Sequence, residues 1–157
     1  MLRDIQVGSG KAVNAMFTAG EAMTTGMGVV KNIATGEVEF PSAATASEIF
    51  FVQKARYPKG INASRTNFSD YDSDFVNIAK GEKVVLCKYE AGEIFATDAY
   101  AADSKPTVGK VVVVDTDGNL IDATSPATSI YKYIGDRIDG GRTLLKIEVL
   151  DTAATNA

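Results

Sequence analysis

Nowhere in this chain do the apolar residues keep a 3.6-residue period for three turns, and short apolar runs recur between turn-forming pairs instead. A helix needs that period to bury one stripe, whereas a strand needs only strict alternation or a short run buried on both sides. Val38 and Phe40 fall on one face of a candidate strand, with Glu37 and Glu39 on the other. Leu145, Ile147 and Val149 alternate in the same way with Lys146 and Glu148. Ile49-Phe50-Phe51-Val52 and Val111-Val112-Val113-Val114 are apolar on both faces and read as interior strands. Asn32 to Gly36, Glu90-Ala91-Gly92, Asp117-Gly118 and Asp139-Gly140-Gly141 supply the turns. About eight short strands at roughly 10–15-residue spacing predict an all-β fold, a small antiparallel barrel or sandwich.

The ends depart from this grammar. Residues 1–27 carry Gly8, Gly10, Gly20 and Gly26 among small and polar side chains, with neither period, and read as an extended N-terminal arm. Its one adhesive cluster is Ala12, Val13, Ala15, Met16 and Phe17. An arm that cannot bury itself is either disordered or ordered against a partner, and the second case makes Ala12, Val13, Met16 and Phe17 candidate partner-binding residues whose removal should spare the fold. Residues 28–157 form the β-barrel or sandwich domain, with a small polar tail at 151–157 expected to fray. Within that domain, residues 56–75 form a long polar loop. Its aromatics Tyr57, Phe68, Tyr71 and Phe75 either recognise a partner or pack the loop onto its own barrel, and Tyr57, Phe68 and Tyr71 join the candidates.

Composition narrows the chemistry. The chain has no histidine, so Ser-His-Asp and Cys-His catalysis and His-ligated zinc are excluded. The single cysteine, Cys87, permits no internal disulfide and sits in an apolar run as a small buried hydrophobe. Asp and Glu number 20 against 16 Lys and Arg, a net charge of −4, which disfavours nucleic acid and anionic membranes as partners. No apolar run is long enough for a signal peptide or a membrane span, so synthesis in the cytoplasm is expected. Gly8-Ser9-Gly10-Lys11 lacks the P-loop spacing. Asp115-Thr116-Asp117-Gly118 has the start of a calcium loop but puts Gly fourth and Pro126 at position twelve, so it reads as a hairpin turn. Asp70, Asp72 and Asp74 read as a solvated acidic loop, or Asp72 as the cap of a short helix. No catalytic residue, cofactor or metal site is expected, and the chain is read as non-enzymatic.

Gly20-Glu21-Ala22, Gly28-Val29-Val30, Lys80-Gly81-Glu82-Lys83-Val84, Val108-Gly109-Lys110-Val111-Val112, Asp117-Gly118 and Tyr133-Ile134-Gly135 occur in an order that resembles the decoration, or cement, proteins of tailed-bacteriophage capsids. The resemblance spans roughly residues 20 to 150; the 56–75 loop is no part of the pattern. It implies a structural virion protein, without active site or cofactor, that binds the outer surface of the major capsid protein and stabilises it. Self-association on the capsid lattice would accompany this. A tail-tube, connector or fibre-associated component, and a β-module that binds carbohydrate or a cell surface, are the alternative readings.

Overall fold

The computed structural model describes residues 1–8, 16–55 and 71–157, and the backbone of 12–13. Over these residues the protein is all-β, with fourteen strands and one helical turn. The N-terminal part holds β1 (Leu2–Gln6), β2 (Ala12–Val13), β3 (Thr18–Ala19), β4 (Met23–Thr24), β5 (Gly28–Asn32), β6 (Glu37–Glu39) and β7 (Phe50–Lys54). A single turn, α1 (Ser73–Val76), precedes β8 (Asn77–Ile78), β9 (Val84–Cys87) and β10 (Ile94–Thr97). The remainder is β11 (Val111–Val114), β12 (Leu120–Asp122), β13 (Thr128–Asp139) and β14 (Arg142–Thr155).

Two six-stranded sheets make a sandwich. The first has the order β1-β10-β14-β13-β11-β12, the second β2-β9-β7-β5-β6-β3, and β4 and β8 form a separate ribbon. Between the sheets lies the main core. The second sheet contributes Phe51 and Cys87, while the first contributes Leu2, Phe95, Val112, Val114, Tyr131, Tyr133, Leu145 and Ile147. Alternation along β7 and β9 sends Val52, Val84 and Leu86 to the opposite face, where Ala19, Met23 and Ile78 cover them. This is why the second sheet reads as apolar on both faces: each face has its own cover. The same holds for β11, whose Val111 and Val113 are buried against Ala123 on the far side of the first sheet.

The predicted turns stand where expected. Asp115 Oδ1 accepts the backbone N–H groups of Asp117 and Asn119 at 2.9 and 2.8 Å, closing the β11–β12 hairpin as an Asx turn. Gly140 and Gly141, both at positive φ, join β13 to β14 with Asp139 opposite Arg142.

Three expectations are corrected. Over the described residues, 1–27 is not a separate arm: β1 pairs antiparallel with β10, with Leu2 opposite Thr97, and Met1, Leu2, Ala19 and Met23 are buried. The sequence hides this because β3 and β4 are two residues long and their partners lie far along the chain. The short helix that Asp72 would cap, expected to run from Ser73 to Ala79, ends at Val76, and Asn77–Ile78 is a strand. The C-terminal tail does not fray either, because β14 continues to Thr155 and its Leu150 and Ala154 pack over Val111 and Val113.

Asn156 then fastens that end. Its Oδ1 accepts the Val111 N–H at 2.8 Å, and its Nδ2 donates to the carbonyls of Val111 and Ala123 at 2.8 and 2.9 Å. One side-chain amide thus pairs with β11 as a neighbouring strand would. A net hydrogen bond contributes roughly 0.5–1.5 kcal/mol, and losing the acceptor strands a backbone N–H. Asn156→Ala should therefore cost about 2 kcal/mol, read as a lower urea midpoint with unchanged slope; an unaltered midpoint would contradict the role.

Candidate functional site

Among the described residues, the candidate partner-binding residues Met16, Phe17 and Tyr71 take different roles. Ala12 and Val13 lie in β2, an edge strand of the second sheet, with Ala12 opposite Cys87 and Val13 opposite Leu86. Met16 is 74% exposed. Phe17 is half-buried against the second sheet's outer core, and its carbonyl accepts the Val84 N–H at 3.1 Å. Deleting residues 12–17 would therefore disturb the fold, contrary to the expectation for a free arm. Tyr57, Phe68 and Asp70 lie outside the described residues.

Tyr71 packs onto its own domain. It contacts the small core of Met1, Ala96 and Leu144, and Arg142 sits 4.7 Å from its ring centroid. Its hydroxyl donates to Asp139 Oδ2 at 3.0 Å, the same oxygen that accepts Arg3 Nε at 2.8 Å. Burial, then the bond to Asp139, pushes the Tyr71 phenol up to about 12. The Arg3 guanidinium, then the Tyr71 hydroxyl, holds Asp139 below the usual carboxylate range. Asp72 stands at the N-cap of α1, but its side chain makes no cap bond.

A depressed folded pKa has a defined sign. The Asp139 contribution to stability is complete above the unfolded value of about 3.9 and is lost as pH falls through the folded value. Asp139→Asn should loosen the β13–β14 turn at pH 7, read as faster amide exchange there, and the gap from wild type should narrow below about pH 4. A gap of constant size down to pH 2 would refute the linkage.

The other polar groups also brace structure. Asp136 accepts from Lys105 Nζ at 2.7 Å and from the Tyr133 hydroxyl. Desolvation works to raise its carboxyl, but these two donors outweigh it and hold it low. The buried Tyr89 donates to Asp4 Oδ1 at 2.6 Å. Glu93 accepts the backbone N–H groups of Gly8 and Glu90, both at 2.8 Å. Burial, with the Asp4 charge behind it, pushes the Cys87 thiol up to about 12, so it is a packing residue rather than a nucleophile. An open cleft of about 530 Å³ beside β4 and β8 is lined by Met23, Met27 and Ile78, with Lys54 paired to Glu82 at its rim. None of these groupings puts a nucleophile beside a base.

One surface is built differently. On the outer face of the second sheet, Lys31 Nζ stands 4.1 Å from the Phe50 ring centroid and 5.3 Å from that of Phe17. Lys88 Nζ approaches the same Phe50 ring at 5.3 Å. Phe50 and Phe17 are half-buried, and Lys88 is exposed. Strand pairing dictates the cluster: Phe50 opposes Val29 on β5, two residues from Lys31, and Lys88 follows Cys87, the partner of Phe51. Sequence reading missed Lys31, Phe50 and Lys88. Each lysine directly follows or lies within an apolar strand; alternation extended past Val30 and Cys87 puts Lys31 on the face of Val29 and Lys88 on the face of Leu86, and strand pairing alone brings both to Phe50.

Comparison with protein-family models, with curated proteins and with solved structures finds no match to this chain.

Proposed function

We propose that this chain is a non-enzymatic structural subunit of a virion, one that decorates the outside of a phage capsid, binds the major capsid protein and resists its rupture. One observation supports the reading above others. The segments whose order resembles capsid decoration proteins meet one another in pairs, one of them between the two sheets. Ala19 and Gly20, at the first segment, lie against Gly81 and Glu82: the Gly81 N–H donates to the Ala19 carbonyl at 2.7 Å, and the Ala19 N–H to Glu82 at 2.8 Å. Gly28 donates to the carbonyl of Gly118 at 2.9 Å. Gly109 donates to the Tyr133 carbonyl at 2.7 Å, and Tyr133 back to Lys110 at 3.0 Å. The six resembling segments thus fall into three hydrogen-bonded pairs rather than scattered hairpin signals.

The surface suits such a task. Ile33 and Val108, 83% and 61% exposed, project from loops, and Ile138 is 68% exposed near the β13–β14 turn. The strand β2 at a sheet edge offers main-chain groups for strand addition. The excess of acidic residues fits an outward position, away from packaged DNA.

The test is co-sedimentation of the purified protein with undecorated capsids of its own phage, followed by heating of bare and decorated shells. Saturable binding and a higher rupture temperature are expected. No binding to any such capsid would refute the reading, and spontaneous assembly of the pure protein into rings would favour a tail tube.

A further inference from the structure

We infer that the Lys31–Phe50–Lys88 surface is a docking site for a carboxylate-rich protein segment, and, resting on the decoration reading, that this segment belongs to the capsid shell. The argument starts from charge. Acids outnumber bases by 20 to 16, so carboxylates are available to nearly every cation. Three cations have used them: Arg3 is paired with Asp139, Lys54 with Glu82 and Lys105 with Asp136. Among the described residues, Lys31 and Lys88 are paired with no carboxylate, and both turn to one phenylalanine ring instead.

The β5–β6 ladder explains why no internal acid reaches them. Val38 stands opposite Lys31 and shares its face, while Glu37 and Glu39, its sequence neighbours, project to the other side. Glu39 is held there by Asn32, whose Nδ2 donates to Glu39 Oε1 at 2.9 Å. Two ammonium groups thus converge on a half-buried ring, and the acids flanking the cross-strand partner of Lys31 are directed away from it.

A ring beneath an ammonium stabilises it modestly and leaves the outer N–H donors open. A carboxylate arriving from outside would meet two cations at once, and an apolar side chain beside it would cover the exposed part of Phe50. Phe50 is thus an aromatic anchor of the kind interface centres favour, with the two lysines as a charged rim around it. Charge of this kind also steers encounter, so attachment should weaken with rising salt.

The experiment has two arms. In the first, the labelled protein is titrated with a glutamate-rich peptide carrying one leucine, and amide shifts are followed by NMR. The inference requires shifts centred on Phe17, Lys31, Phe50 and Lys88; shifts spread evenly over all lysines, or centred elsewhere, overturn it. The same titration with anionic lipid vesicles is the control. A response at these residues to vesicles but not to peptide also overturns the inference.

In the second arm, Lys31→Glu with Lys88→Glu is compared with Lys31→Arg with Lys88→Arg for capsid binding, with thermal melts to show that both fold. Charge reversal should weaken binding at least about tenfold, and the arginine pair should retain it. Equal binding by wild type and the glutamate pair overturns this inference and leaves the decoration reading intact. Failure of wild type to bind capsid overturns the decoration reading, while the peptide titration still decides the docking surface.

Discussion

Phe51→Ala is expected to destabilise the protein by about 3–5 kcal/mol, a large fraction of an ordinary domain's total stability. Phe51 is fully buried and is the aromatic that the second sheet sends into the shared core. Its ring centroid lies 4.5 Å from Phe95, 5.6 Å from Tyr131 and 6.2 Å from Tyr89, and Tyr89 and Phe95 stack at 4.2 Å. Removing it leaves a cavity between two sheets whose other side chains are fixed by their own strands, so collapse cannot fill it. The neighbouring Phe50→Ala is the control. Phe50 points to the opposite face and is half-exposed, so its loss should cost under about 1.5 kcal/mol while weakening attachment to a partner. Urea melts of both variants check the contrast; similar costs would mean that the division of β7 between core and surface is wrong.

The second large effect concerns the joint between the sheets. Gly118 sits at φ 78 in the β11–β12 turn, and a Cβ there would lie 2.6 and 2.8 Å from ring atoms of Phe40 and 3.1 Å from the Gly28 carbonyl oxygen. Gly118→Ala therefore combines left-handed strain of about 1–2 kcal/mol with overpacking of about 1–3 kcal/mol. A melting temperature lower by roughly 4–20 °C is expected for a domain of this size. Gly36 separates the two contributions, since it has φ 72 but nothing within 4 Å of where a methyl group would stand. Gly36→Ala should show the strain alone, about 1–2 kcal/mol. Equal losses at the two positions would show that contact with Phe40 contributes nothing.

How much of this could be read in advance follows from where the information lies. Alternation in Glu37 to Phe40 and Leu145 to Val149 reports on one strand at a time, and the structure places strands there. Asp117-Gly118 and Asp139-Gly140-Gly141 carry their own turn chemistry and needed no partner to be recognised. The N-terminal residues mislead for the converse reason. Leu2 is buried only because Thr97 and its strand lie alongside, and nothing in residues 1–27 announces residue 97. Asn156 is likewise invisible, since its partners Val111 and Ala123 are distant and an asparagine near a chain end usually means solvent. The site is the least legible part. Tyr71 stands out in the sequence as a loop aromatic and proves to be bound to Asp139, whereas Lys31, Phe50 and Lys88 become neighbours only when β5, β7 and β9 pair.

The order of strands in the first sheet bears on how the chain acquires its shape. The first strand, Leu2–Gln6, lies against Ile94–Thr97, and that strand lies in turn against the last, with Ile94 opposite Glu148. Only the β11–β12 and β13–β14 hairpins of that sheet can close from neighbouring residues. At roughly 5–20 residues per second of synthesis, the opening strand waits on the order of 5–20 s for its partner to emerge. Its partner waits further for β14. Such distant pairings place the chain among slow folders, in the millisecond-to-second range once complete. A nascent chain consequently carries Leu2–Gln6 as an unpaired strand until Ile94–Thr97 has been made, and the sheet around both is completed only with β14.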